Sequence, residues 1–285
     1  MRHPNTRHII SCAALIIAAA IITLLVRTAS AQPSNSQSAF TVDDLLNAVN
    51  VSVADLSDDG RWVAVTVSSL NDRIGIDNRR FGDPTYIAPS LGEVWIIDTQ
   101  TAKTQKLFQD KRQVRGLKWS PDASRLALLV LKGDQFEPVL WDRAANKFVN
   151  VSVPQSKQVA DNGDLVWSAD GTQLILALHN VEWQKKVQER FKYETGGPVV
   201  VHSSKEPFLA WDDLRRMSAL RSLVAYDIRS GQARELLPEI KLNSYELSQD
   251  GSFITYQEDI TKKISSRCFR QREARHEPSS NQPRD

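Results

Sequence analysis

Four stretches of the 285-residue chain repeat one pattern, and that repeat restricts the fold more than any other feature. Each is Ser-x-Asp-Gly or a near variant between two apolar runs: Ser57-Asp-Asp59-Gly60, Ser120-Pro121-Asp122-Ala123, Ser168-Ala-Asp170-Gly171 and Ser248-Gln-Asp250-Gly251. The tetrad is turn chemistry. A serine hydroxyl bonds nearby backbone, Pro121 presets the second position, Asp suits the third, and Gly takes the positive φ that other residues resist. Flanked by apolar runs, it makes a hairpin. Ala123 breaks the rule in the second copy, at about 1 kcal/mol if it enters the left-handed region.

A second segment recurs downstream of three copies. Val94-Trp-Ile-Ile-Asp98, Pro138-Val-Leu-Trp-Asp142 and Leu223-Val-Ala-Tyr-Asp227 are each an apolar strand ending in Asp, followed by a turn and a weaker strand. These aspartates stand 22, 26 and 21 residues before the next serine, close to a constant spacing. One repeat is therefore four short strands, the unit of a β-propeller blade. Residues 62–67, 126–131 and 174–178 are nearly continuous apolar runs, as befits strands covered on both faces by neighbouring blades. A sandwich would not return the same turn to the same strand position. The chain reads as all-β: about three full four-stranded blades and the start of a fourth, an incomplete ring, with a partly helical insertion.

Residues 71–91 and 179–221 swell the first and third repeats. In the second insertion Trp183, Val187 and Phe191 fall four apart and Leu214, Met217 and Leu220 three apart, a helical period broken by Gly196-Gly197-Pro198. Such insertions project from a propeller's ends as lids or docking surfaces. The plainer reading is that their aromatic residues only pack the insertion onto its own blade.

The amino terminus reads as an address. Arg2 and Arg7 precede a mostly apolar run over residues 9–26, and Ala29-Ser30-Ala31 precedes Gln32. That order describes a secretory signal peptide over 1–31 cleaved between Ala31 and Gln32. The alternative is an uncleaved anchor, since 18 apolar residues just span a bilayer. Cleavage leaves Cys268 as the single cysteine, so the exported chain holds no intramolecular disulfide. Residues 32–40 form a flexible leader. Thr41 followed by Asp44 is a capping-box-like start to a short helix.

Ser-Pro-Asp-Gly-type repeats resemble those of TolB-like propellers and of the propeller domain in the prolyl oligopeptidase / dipeptidyl peptidase IV family. An export signal, then Thr41-x-x-Asp44-Leu45-Leu46 running into the first turn, looks like secreted bacterial peptidases of that family. So does Tyr256-Gln-Glu-Asp-Ile-Thr-Lys-Lys263. The resemblance spans residues 39–263. It implies a propeller that caps an α/β-hydrolase domain, gates access to it and helps position peptide substrates. No Gly-x-Ser-x-Gly elbow occurs in the chain, so no catalytic residue is assigned and no peptidase activity of its own is expected. The paired glutamates by which dipeptidyl peptidases hold a substrate's amino terminus are missing. Trp211-Asp212-Asp213 is the nearest echo and is not given that role. The partial propeller is placed at 41–263. Residues 264–285 lack strand or helix period and read as a disordered basic tail, with the reading frame broken near 264 and the parent truncated before its hydrolase. The alternatives are a TolB-like periplasmic propeller that recruits a protein partner, and a gene remnant without function.

Other constellations are weak. His179 and His202 have no carboxylate or cysteine at metal-ligand spacing and read as surface or insertion histidines; no metal or cofactor is assigned. His202-Ser203-Ser204 is not a triad, whose groups meet in space rather than in sequence. Asp161-Asn162-Gly163-Asp164 reads as a turn rather than a calcium loop. Asn50-Val-Ser52 and Asn150-Val-Ser152 match the glycosylation triplet. The expected partners are a peptide substrate or a protein, with association through open propeller edges and a membrane only if the signal segment stays uncleaved.

Nucleic acid is excluded by charge. The formal +2 comes from the ends: residues 1–31 hold three basic and no acidic groups, and 263–285 hold six and three. Residues 32–262 then carry 27 basic against 31 acidic groups, about −4, which is no basic groove.

Overall fold

The computed structural model describes residues 39–160, 165–200 and 205–262. The signal segment, its Ala31–Gln32 cleavage point, the 161–164 turn, His202 and the basic tail lie outside them. The chain forms two compact units, Met1–Leu45 and Leu46–Asp285. At the end of the first, Thr41 caps the start of helix α1 (Val42–Asn47), whose last two residues open the second: the Asp44 carboxylate accepts from the Thr41 N–H at 2.8 Å and hydroxyl at 2.7 Å, and the Asp44 N–H donates back to Thr41 Oγ1. All that follows concerns the second.

That unit is a β-propeller arc. Strands β1 (Asn50–Leu56), β2 (Trp62–Ser68), β3 (Glu93–Asp98) and β4 (Lys103–Lys106) form one antiparallel meander. Strands β5 (Val114–Trp119), β6 (Arg125–Lys132), β7 (Gln135–Asp142) and β8 (Lys147–Asn150) form the second. The third sheet runs β10 (Leu165–Trp167), β11 (Gln173–Asn180), β12 (Leu220–Asp227), β13 (Ala233–Leu247) and β14 (Ile254–Glu258), with β9 (Lys157–Val159) also on β11. Its last strands begin a fourth blade. Sequence alone separates the closing strand of the third repeat from the opening strand of the fourth. In the structure both are β13: Ala233 to Lys241 pairs with β12, and Leu242 to Leu247 with β14. No glycine stands between Pro238 and Leu247, and the strand passes Asn243 with a shift of register between Leu242 and Ser244 rather than a turn.

The four tetrads close the β1–β2, β5–β6, β10–β11 and β13–β14 hairpins with one network. In each, the fourth residue's N–H donates to the serine carbonyl, at 2.8 Å from Gly60, 2.8 Å from Ala123, 2.9 Å from Gly171 and 2.8 Å from Gly251. Each serine hydroxyl donates to the aspartate and accepts the N–H five residues on, as in Ser168 Oγ–Asp170 Oδ1 at 2.6 Å and Gln173 N–Ser168 Oγ at 2.9 Å. The same aspartate oxygen accepts from the residue after the glycine position. These bonds favour the charged carboxylate. The Ser248 hydroxyl, with Ser252, holds Asp250 down to about 2. Ala123 sits at φ 53 and so bears the left-handed strain its sequence position implied. Gly60, at φ +69, has open space for 4 Å around the point where a Cβ would stand, so only backbone strain opposes a side chain there. Gly60→Ala is expected to cost about 1 kcal/mol in urea unfolding, the left-handed penalty less the entropy removed from the unfolded chain. A loss above about 3 kcal/mol would show a contact that this turn does not contain.

The core lies between blades. On β6, Leu126, Leu128 and Val130 pack with Ala64, Val94 and Ile96 of the first blade, while Ala127 and Leu129 pack with Leu174 and Leu176 of the third. Successive side chains point to opposite faces, so one strand serves two interfaces. β11 does the same, with Ala177 facing Leu223 and Leu242. The inner strands are also bonded blade to blade: Asp55 accepts from Lys118 Nζ at 3.0 Å and the Trp119 N–H at 2.7 Å, and Trp167 Nε1 donates to the Lys118 carbonyl at 3.0 Å. β2 departs from the doubly covered expectation. Ala64 and Val65 are buried along it, but Val51 and Val53 beside it on β1 are 60% and 69% exposed, because among the described residues no sheet covers that face.

Candidate functional site

Antiparallel order places the tetrads at one end of the blades and the β2–β3 and β11–β12 connections at the other. Both insertions are such connections, so they rise from the same end. They build the candidate site there.

The first insertion, between β2 and β3, is a stiff loop with two short 3-10 turns, Leu70–Arg73 and Asn78–Arg80. Its apex is held by charge-assisted bonds. Asp83, 9% exposed, accepts from Arg80 Nη2 at 2.6 Å, from the Thr85 N–H at 2.9 Å and from the Thr85 hydroxyl at 2.8 Å. The Arg80 guanidinium lies 4.6 Å from the Tyr86 ring centroid, and the Tyr86 hydroxyl accepts the Asp77 N–H at 2.6 Å. This frame presents Phe81 to solvent, 86% exposed.

The second insertion holds helices α2 (Trp183–Thr195) and α3 (Ala210–Ser218). Trp183, Val187 and Phe191 pack on Leu214, with Met217 and Leu220 alongside, as helical spacing in the sequence suggests. Trp183 Nε1 donates to the Met217 carbonyl at 2.8 Å. Arg216, 6% exposed, pairs with Asp259 and the Thr261 carbonyl, which ties α3 to the segment after β14. These aromatic residues do pack their own insertion; Trp211 reaches Phe191 with ring centroids 6.4 Å apart but stays 46% exposed.

The two insertions meet at Gly82, φ +81, where a Cβ would lie 2.9 Å from Trp211 Cζ3. A side chain there would push the indole away, so glycine permits the approach. Next to this contact is a cleft of about 550 Å³ lined from both insertions, by Phe81 and Asp83 of the first and Trp183, Trp211 and Arg215 of the second, and by His179 and Arg221 of the blade. Its size suits a small ligand or one peptide side chain.

His179 corrects the expectation of a surface histidine. It ends β11 in the core, 3% exposed, its ring stacked on Trp183 at 3.8 Å and 2°. The strand runs through Asn180 before the insertion leaves, so residue 179 belongs to the blade. Burial, opposed in part by the Leu220 carbonyl and joined by Arg221, pushes the imidazole down to about 4. It is neutral at neutral pH. A carbonyl can only accept, so Nδ1 carries the proton and donates to Leu220 O at 2.6 Å. Nε2 keeps its lone pair.

The predicted tetrad residues, Ser57 to Gly60, Ser120 to Ala123, Ser168 to Gly171 and Ser248 to Gly251, lie away from this cleft and perform turn work. Trp211-Asp212-Asp213 starts α3: Asp212 pairs with Arg215 at 3.2 Å and Asp213 with Arg190 at 3.0 Å, so the carboxylates are engaged within the insertion. Among the described residues no three His, Cys, Asp or Glu side chains gather as metal ligands, and no helix is long and apolar enough to cross a membrane.

No family model matches the chain, and neither does any curated protein. Solved structures do. An oligogalacturonate lyase in complex with manganese is 12% identical over 72% of this chain and 46% of its own, with a TM-score of 0.46. A structure from a study of two prolyl endopeptidases is 10% identical over 74% and 26%, TM-score 0.45. TolB from Acinetobacter baumannii is 13% identical over 74% and 44%, TM-score 0.39. The chain spans less than half the length of each.

Proposed function

We propose that this chain is the propeller portion of an exported serine peptidase of the prolyl oligopeptidase family, and that its insertion-bearing end admits peptides. The observation that carries the reading is the convergence of both insertions at one end of the blades, where they wall a cleft with exposed aromatic residues on a rigid frame. The Ser-x-Asp-Gly repeats, the Thr41-capped helix before the first of them and the signal-like residues 1–31 support the family and the export. In the parent enzyme the propeller would limit which peptides reach the hydrolase, whose nucleophile another part of the polypeptide supplies.

The purified 285-residue chain is expected to leave proline-containing and amino-terminal dipeptide reporters intact. The coding DNA beyond codon 285 is expected to encode a Gly-x-Ser-x-Gly elbow in one of its frames. Hydrolysis by the chain itself would overturn the division of labour, and downstream DNA without hydrolase coding in any frame would overturn the ancestry.

The uncovered β1–β2 face, with Val51 and Val53 in the open, favours a second reading as an interaction propeller of TolB type. Capture of one stoichiometric protein partner by the tagged chain, lost on Val53→Lys, is its signature.

A further inference from the structure

The third sheet ends on a strand with one side unused. Among the described residues β14 pairs with β13 alone. The Phe253 carbonyl accepts the Ser248 N–H at 2.9 Å, and the Asp259 N–H donates to the Lys241 carbonyl at 2.9 Å, so the odd-numbered residues turn their backbone groups toward β13. Those of Ile254, Tyr256 and Glu258 point the other way, because backbone groups alternate sides along a strand. The strand reads Ile-Thr-Tyr-Gln-Glu, with neither lysine nor proline to keep another strand from pairing.

Beside this edge lies a wedge of about 380 Å³, between the third blade and the β13–β14 hairpin. Its lining is apolar. Leu236 and Leu237 come from the half of β13 that pairs with β12, Ile254 and Tyr256 come from β14, and Phe253 and Tyr256 are 59% and 50% exposed. Among the described residues Arg234 is the one charged group on that lining, and its guanidinium makes no ion pair there. Arg234 stands opposite Ala225, and Ala225 opposite Ile175, so the three share the face that borders the wedge. Ile175 lies just past the third tetrad and Ile254 just past the fourth, which puts Arg234 at the tetrad end of the free edge.

These features fit one class of ligand. A compact apolar molecule would fill the wedge and leave the row of donors and acceptors unpaired, whereas an extended peptide meets both. We propose that β14 and its wedge bind an extended peptide as an added antiparallel strand, with alternate apolar side chains entering the wedge and a carboxylate at the peptide's carboxyl-terminal end meeting Arg234. An antiparallel strand runs toward the tetrads, so its last residue arrives beside that guanidinium. The site uses neither insertion and goes beyond the peptide-admitting role of the insertion end. The geometry also fixes which peptide amides matter. Residues directly opposite Ile254 and Tyr256 exchange backbone bonds with them and share their face, so the peptide residues that enter the wedge are the ones that bond the edge.

The test is fluorescence anisotropy of the full chain with the labelled peptide Lys-Val-Thr-Val-Ser-Val carrying a free carboxyl terminus. It is compared with its carboxyl amide and with two versions, one N-methylated at the valines and one at Thr and Ser. Saturable binding of the free acid is expected. Methylation at the valines should weaken it at least tenfold, the worth of several backbone hydrogen bonds, and methylation at Thr and Ser should leave it unchanged. The amide should bind about threefold more weakly, as suits an exposed ion pair, and Arg234→Gln, at an exposed position, should remove that difference. Equal effects of the two methylation patterns overturn strand addition, equal binding of acid and amide by the unaltered chain overturns the role of Arg234, and absence of binding overturns the whole proposal. Sedimentation of the chain as a dimer that excess peptide does not dissociate would give the edge to a second copy and overturn it as well.

Discussion

Replacing Trp141 with alanine is expected to destabilise the propeller by about 3–5 kcal/mol, the range for large aromatic residues removed from a packed core. Trp141 is fully buried between the first and second blades, edge-on to Trp119 with ring centroids 6.2 Å apart. Its neighbours there are Leu126, Leu128, Val94 and Ile96, in strands on either side of the gap. Sheets paired this firmly cannot slide inward to fill an indole-sized void, so the cavity cost is retained. The polar cost is smaller. Asn146 Oδ1 loses the indole N–H at 3.0 Å but keeps the Gln105 amide at 2.9 Å. Trp141→Phe should therefore recover more than half of the loss. Urea unfolding followed by circular dichroism measures both variants. A loss below about 1 kcal/mol for alanine would mean that this interface is not closed in solution.

Acidification from pH 7 to pH 4 is expected to remove about 3 kcal/mol through His179 alone. The imidazole titrates near 6.5 in the unfolded chain and near 4 in the folded one. Above 6.5 both states are neutral and the full stability is present. Between 6.5 and 4 the unfolded chain holds the additional proton, so stability falls as pH falls, and below about 4 this contribution levels off. The depressed carboxylates act in another window. Asp98, held to about 2 chiefly by Arg61, and Asp250, held there by Ser248, lose their stabilising charge only as pH drops below the ordinary aspartate value near 3.8. Unfolding free energies taken in half-unit steps should show the slope between pH 6.5 and 4 and its absence in His179→Phe, which keeps a ring against Trp183. An unchanged slope in that variant would move the acid sensitivity to another group.

The blade plan is legible in the sequence because its signal is local. Ser168 and Asp170 determine a turn with their own side chains and Gly171 with its backbone freedom, and the unbroken apolar run from Leu174 to Leu178 shows a doubly covered strand. Even the strain at Ala123 follows from its place in the tetrad. The cleft is not legible, because Gly82 and Trp211 are 129 residues apart and nothing local to either announces the other. His179 reads wrongly for a related reason: its strand runs two residues further than the apolar run, and its burial comes from Trp183 in the next element. A histidine four residues before a tryptophan at a strand-to-helix junction is the available clue. The fusion within β13 also leaves a trace, the lack of any turn residue from 239 to 247 other than Asn243 and Ser244.

That shared strand has a consequence in time. Ordinarily each blade can open and close its amide bonds without waiting for the next, so neighbouring sheets lose deuterium protection at separate rates. Here the backbone that pairs with Val224 and Ala225 continues within one strand, across a shift of register between Leu242 and Ser244, into the backbone that pairs with Tyr256. The half of β13 beyond Leu242 borders the sparsely buried β14, whose burial thins to exposed residues, and should exchange first. The half up to Lys241 should follow more slowly, with Leu242, buried and bonded to the Ala219 carbonyl at 2.8 Å, as the point where the front stalls. A single strand should thus carry a step in exchange rate along its own length, and residue 242 would mark where the fourth blade ends its independent life.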